Sequence, residues 1–129
     1  MRLPALILAL IALPMQGNTQ GLAPMRQDFA TYADQFAIRL TARNPYPTAQ
    51  RFSVTVYEED WRISAARALA PVLTIAPNET VSFLVAGDTD EREARAIHVC
   101  IRSAPFVGEG GASIRGEVCG RYRILQRRL

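Results

Sequence analysis

The chain has 129 residues and a formal net charge of +3, with 15 arginines, no lysine, 12 acidic residues, two cysteines and one histidine. A single histidine excludes most histidine-based metal sites and any two-histidine mechanism. The two cysteines lack the C-x-x-C spacing of a thioredoxin-like redox pair. The chain opens Met1-Arg2-Leu3-Pro4 and continues with the nine apolar residues Ala5–Leu13 before Pro14. A basic start and a short apolar run predict a secretory signal over residues 1–21, with cleavage after Gly17 or Gly21. A membrane-spanning helix needs roughly 20 apolar residues, so retention as an anchor is the rival reading and no stable membrane insertion is expected after cleavage. Residues 22–129 are long enough for one compact domain with a core of its own. The expected location is periplasmic or secreted, where disulfides persist.

Asn18 to Gln27 is polar and reads as extended chain. Phe36, Ile38, Leu40 and Ala42 alternate with more polar residues, a period of two that predicts a half-buried strand. It ends at Asn44-Pro45-Tyr46-Pro47, because proline cannot donate to a ladder. Phe52, Val54 and Val56 alternate again, and the two strands are expected to be antiparallel neighbours across this proline-rich connection. Glu58-Glu59-Asp60 reads as a solvated strand end, and the alanine-rich stretch Ser64–Ala70 as a short helical turn. Val72–Ile75 is extended, Pro77-Asn78-Glu79-Thr80 has turn chemistry, and Val81, Phe83 and Val85 resume the alternation. Asn78-Glu79-Thr80 also fits a glycosylation acceptor, but its turn reading is preferred.

Ile97–Arg102 and Glu117–Leu125 are the last two strands, flanking the glycine-rich turn around Val107–Ala112. A plain hairpin places Cys100 opposite Cys119, Arg102 opposite Glu117 and His98 opposite Arg121 on one face. Ile101–Val118, Val99–Gly120 and Ile97–Tyr122 then pair on the other. The expected disulfide therefore braces the hairpin away from its apolar row; two free thiols are the alternative. Six or seven short strands separated by turns predict an all-β fold, a single immunoglobulin-like antiparallel β-sandwich of about seven strands.

No catalytic constellation, phosphate-binding loop or dinucleotide fingerprint is present, and no enzyme activity, metal or cofactor is expected. His98 reads as a solvent-facing strand residue. Glu58, Glu59 and Asp60 would point in alternate directions on an extended segment. Asp88, Asp90, Glu91 and Glu93 read as a solubilising loop. Arg121, Arg123, Arg127 and Arg128 are better read as protecting a terminal edge than as binding nucleic acid.

Residues 22–127 resemble the first domain of periplasmic pilus chaperones, the PapD-like family. The resemblance is carried by Phe36–Pro45 ending in Asn-Pro, by Phe52–Tyr57, by Leu73–Val81 and by the basic-apolar close Arg121–Arg127. One branch of that family carries a disulfide between its last two strands. The resemblance implies a non-enzymatic chaperone or accessory factor in pilus assembly, which donates apolar residues of its last strand to another exported protein such as a pilin-type subunit. Ile114, Val118, Tyr122 and Ile124 share parity and would be the donors, or would simply belong to this domain's core; Gly116 and Gly120 interrupt the row. Arg26 and Arg115 are the candidates for the family's basic anchor of a partner's terminal carboxylate. No counterpart of the family's second domain is expected within these residues. The alternative is a structural or adhesive module of the same fold, without chaperone activity.

Overall fold

Strict alternation of apolar and polar side chains builds two sheets whose inner faces meet. The computed structural model describes residues 21–128. The expected signal lies almost wholly outside them. The strands are β1 (Gly21–Ala23), β2 (Arg26–Thr31), β3 (Gln35–Arg43), β4 (Gln50–Glu58), β5 (Arg67–Ala68), β6 (Val72–Ile75), β7 (Thr80–Asp88), β8 (Ala94–Ser103), β9 (Phe106–Val107), β10 (Ser113–Ile114) and β11 (Glu117–Gln126). One sheet has the order β1-β3-β7-β5 and the other β2-β11-β8-β4-β6, while β9 and β10 form a small ribbon beside them. This is the expected immunoglobulin-like sandwich. Its pairings are antiparallel except that β2 runs parallel to β11.

Leu40, Phe52, Ile75, Val85, Ile97, Val99, Ile101 and Tyr122 are fully buried between the sheets. Each such side chain contributes about 1.5–3 kcal/mol through burial. Among the described residues, no helix is long and apolar enough to cross a membrane.

Two local expectations need correction. First, β3 and β4 are not neighbours but lie in opposite sheets. The cause is the corner at Asn44, whose buried side-chain amide donates to Thr48 O and Ile75 O, each at 2.9 Å, while its Oδ1 accepts from Tyr46 N at 2.9 Å. Those bonds fasten the Asn-Pro turn to the end of β6 and send the chain across the sandwich. Alternation alone reports a buried face and is silent about which sheet owns it.

Second, Ser64–Ala70 is extended rather than helical. Ser64, Ala66 and Ala68 are all buried, a period of two that alanine's helix propensity masks. Small side chains are required here: a Cβ added to Gly87 would lie 2.6 Å from Ala66 Cβ.

The N-terminal strand changes sheets. β1 pairs with β3, and after Pro24-Met25 the chain resumes as β2 along β11. Tyr122 marks the crossing from inside, its hydroxyl donating to Pro24 O at 2.5 Å. Arg121 N donates to Met25 O at 2.9 Å. Gly120 is the space that makes this possible, since a Cβ there would lie 2.2 Å from the Tyr122 hydroxyl and 2.9 Å from Met25 O.

Gly120→Ala is therefore expected to destabilise the fold by about 1–3 kcal/mol, the usual cost of overpacking, read from the urea midpoint. Asn44→Ala should cost about 2–4 kcal/mol, because it strands buried carbonyls and an N–H. The same denaturation measurement checks it.

Candidate functional site

The β8–β11 hairpin has the register expected from the sequence, with Cys100 opposite Cys119, Arg102 opposite Glu117 and His98 opposite Arg121. Cys100 and Cys119 are joined by a disulfide. Arg102 and Glu117 form an ion pair beside it. The Cα atoms of Cys100 and Cys119 are 4.0 Å apart, the short spacing of a non-hydrogen-bonded antiparallel pair. In that register the backbone N–H and C=O of Glu117 and Cys119 turn away from β8, toward the far edge of β11. β2 covers this edge only from Arg121 onward. The stretch Glu117–Gly120 is thus an open strand edge.

Tyr122 and Ile124, read as candidate donors, are fully buried in this chain's own core. Val118 and Ile114 differ. Val118 is partly buried where it packs on the edge of the core, and Ile114 is half-buried in the small ribbon.

The two candidate anchors are not brought together. Arg26 stands in register with Arg121 on the parallel β2–β11 pair. Arg115 lines a shallow pocket of about 190 Å³ with Arg51, Arg102, Ser53 and Ser103. Arg121, not one of those two candidates, is the residue that meets Arg26 on the outer face, where its parity with Cys119 places it.

The acids of Glu58-Glu59-Asp60 do diverge, but each finds an arginine. Glu59 Oε1 accepts from Arg121 Nη2 at 2.7 Å, and Asp60 Oδ2 from Arg62 Nε at 2.6 Å. Glu58 Oε1 accepts from Arg95 Nη2 at 2.5 Å and from Ser64 Oγ at 2.9 Å. Arg95 is buried, and it also donates to Asp88 O and lies 3.5 Å from Asp90 Oδ2. It ties β4, the 61–64 turn and the β7–β8 connection into one node. Desolvation works to raise the Glu58 carboxyl, but the bonds from Arg95 and Ser64 outweigh it and hold it below its ordinary value. On the outer face the Arg123 hydrogen bond lowers Asp28, aided by the charges of Arg26 and Arg121. Burial pushes the Tyr122 hydroxyl far above the ordinary phenol range, so it stays a donor to Pro24.

His98 lies on the outer face as expected, but it is covered. The Trp61 ring stacks on it with centroids 3.8 Å apart and planes 8° from parallel, and Tyr57 stands 5.8 Å from Trp61. Nothing in the local sequence signals this stack, because Trp61 reaches His98 only through a turn with a left-handed backbone (φ 68°).

No family model and no curated protein matches the sequence. Solved structures do match. A chain of the Salmonella enterica SafA pilin–SafB chaperone complex superposes with a TM-score of 0.68 at 17% identity, over 84% of this chain and 54% of that one. The E. coli chaperone DraB gives 0.70 at 12% identity, over 86% and 57%. The ASH/PapD-like domain 7 of human CEP192 gives 0.65 at 10% identity, over 98% and 99%. The chain spans about half the length of the chaperone chains it matches. At these identities the likeness is one of fold alone, an immunoglobulin-like sandwich like that of the chaperone domains matched.

Because the folded-state pKa of Glu58 is depressed, its contribution to stability is complete above the ordinary value of 4.5 and is lost as pH falls through the lower folded value. Glu58→Gln should cost about 2 kcal/mol at pH 7, the scale of a charge-assisted bond. The gap from the parent protein should close as pH drops below 4.5, measured by urea unfolding across pH.

Proposed function

We propose that this chain is an exported, non-enzymatic protein-binding domain that captures a pilin-type subunit by strand addition on β11. The observation that carries this reading is the uncovered edge at Glu117–Gly120. There the register aims two residues' backbone donors and acceptors outward, and β2 begins only at Arg26 opposite Arg121. Backbone bonds along such an edge supply affinity, and adjacent apolar side chains supply selectivity. Val118 and Ile114 are the apolar residues in reach of an added strand. An added strand would abut the start of β2, where Arg26 and Arg121 would meet a terminal carboxylate. Arg115 faces Arg51 and Arg102 instead and is the weaker anchor. Solved chaperones of this fold are described in complex with a pilin and with a tip adhesion subunit, which supports the kind of partner. It also supports a periplasmic location, consistent with the disulfide and the basic-apolar start of the chain.

Glu117→Pro tests the edge, because proline removes an outward N–H without removing a β8 ladder bond. Co-expressed with a candidate pilin-type subunit, the parent chain and Glu117→Gln should co-purify with it. Glu117→Pro should lose about five-fold of the bound subunit, since the one edge hydrogen bond it deletes carries about 1 kcal/mol. Equal recovery by all three chains would sink strand addition at this edge.

A further inference from the structure

On the outer face of the five-stranded sheet, one cross-strand row reads Tyr57, His98, Arg121 and Arg26 on β4, β8, β11 and β2. Neighbouring positions in the row are separated by about 4.8 Å, the interstrand spacing. Trp61 lies flat on His98, and 54% of its surface is exposed. Left-handed backbone is costly for a bulky residue, and such strain gathers where function requires a fixed geometry. The 58–62 turn holds it with Trp61 N donating to Glu58 O at 2.9 Å and Arg62 N donating to Asp60 Oδ1 at 3.2 Å. Nothing in the packing of the core needs an exposed tryptophan there.

We infer that the Trp61–His98 stack and Arg121 form a docking surface for an acidic segment of a protein partner that carries an aromatic residue beside its carboxylate. It shares Arg121 with the anchor proposed above but does not use the open backbone edge of Glu117–Gly120. Charge decides the first half of that description. Arg121 pairs with Glu59 and Arg123 with Asp28 one row on, and Arg26 adds a further positive charge beside them. Asp60 next to Trp61 is matched by Arg62, so this part of the outer face holds a small excess of positive charge. Arg121 already binds a carboxylate, that of Glu59, whose side chain is 65% exposed and free to be displaced. Glu59 is therefore an internal occupant of the site, and a partner's acid competes with it. Shape decides the second half. The open face of Trp61 takes a flat ring, and an exposed tryptophan beside tyrosine and arginine is the composition of a binding hot spot. His98 and Arg121 are one strand apart, so ring and carboxylate must lie within about 5–7 Å of each other. Residues two apart on an extended peptide, on one face and about 6.6 Å apart, satisfy this.

Trp61 is the chain's single tryptophan, so its fluorescence reports the site directly. The full chain is titrated with an end-blocked hexapeptide containing Phe-Gly-Asp, with matched Phe-Gly-Asn and Leu-Gly-Asp peptides, and with a galacturonic acid trimer. The Phe-Gly-Asp peptide should give a saturable change with an apparent Kd below about 1 mM at physiological salt. The other two peptides should bind at least about five-fold more weakly, the scale of one charge-assisted bond or ring contact. Arg121→Gln should weaken the Asp peptide by a similar factor, whereas Glu59→Gln should tighten it about three-fold by removing the competitor. Glu117→Pro, at the strand edge, should leave it unchanged. No saturable change, equal response to all three peptides, or tighter binding of the acidic sugar would overturn the proposal. Should Arg121→Gln fail to fold, Glu59→Gln decides: unaltered or weaker binding of the Asp peptide would overturn it.

Discussion

The crossing of the N-terminal strand from one sheet to the other, pinned by the Tyr122 hydroxyl on Pro24 over the bare backbone of Gly120, is the constraint on which the rest of this molecule depends. A strand that stayed in the first sheet would leave all of β11 exposed. One that crossed earlier would cover all of it. Crossing at Pro24-Met25 covers β11 from Arg121 and leaves Glu117–Gly120 uncovered. The position of one glycine thus sets the length of the free edge. The same crossing brings Arg26 beside Arg121, so the charge on the outer face and the gap in the ladder have one origin.

Electrostatics divides this protein into a buried and an exposed half with different work. The buried half is Arg95, whose Nη atoms are held by Glu58, Ser64 and Asp88 while its Nε is buried without a hydrogen-bond partner, so that removing one more partner would strand a desolvated charge. The exposed half is the set of pairs on the outer face, Arg121 with Glu59, Arg123 with Asp28 and Arg102 with Glu117. Water screens these pairs, and each adds little to stability. Their value lies in being exchangeable. A guanidinium held at a solvent-exposed carboxylate is prearranged to take another, and its planar fork keeps that geometry fixed.

What was legible in the sequence was mostly local. The register of the β8–β11 pair could be read to the residue because several side-chain pairs check it at once: two cysteines, an arginine against a glutamate, and an apolar row broken only at Gly120. β3 and β4 were each legible as strands, yet their partnership was not, because Asn44 acts through carbonyls of a turn some thirty residues away. The alanine segment misled because propensity speaks for an isolated helix, while tight packing against Gly87 demands small residues in any conformation. The edge at Glu117–Gly120 could not be read from spacing, since it is defined by where a strand 95 residues away begins. The Trp61 stack was equally hidden, requiring a backbone conformation that sequence pattern does not encode for tryptophan.

That pairing of the first described strands with the last has a consequence in time. Arg123 meets Asp28 across a separation of 95 residues, and every rung of the β2–β11 ladder is comparably distant. Contacts of such high order are slow to form. A chain emerging from its N-terminus must also hold Phe29 and its neighbours without a partner strand until β11 has been delivered. Losing residues 123–126 would remove four of the six rungs that hold β2. The far edge of this sandwich is therefore completed only when β11 is present to residue 126.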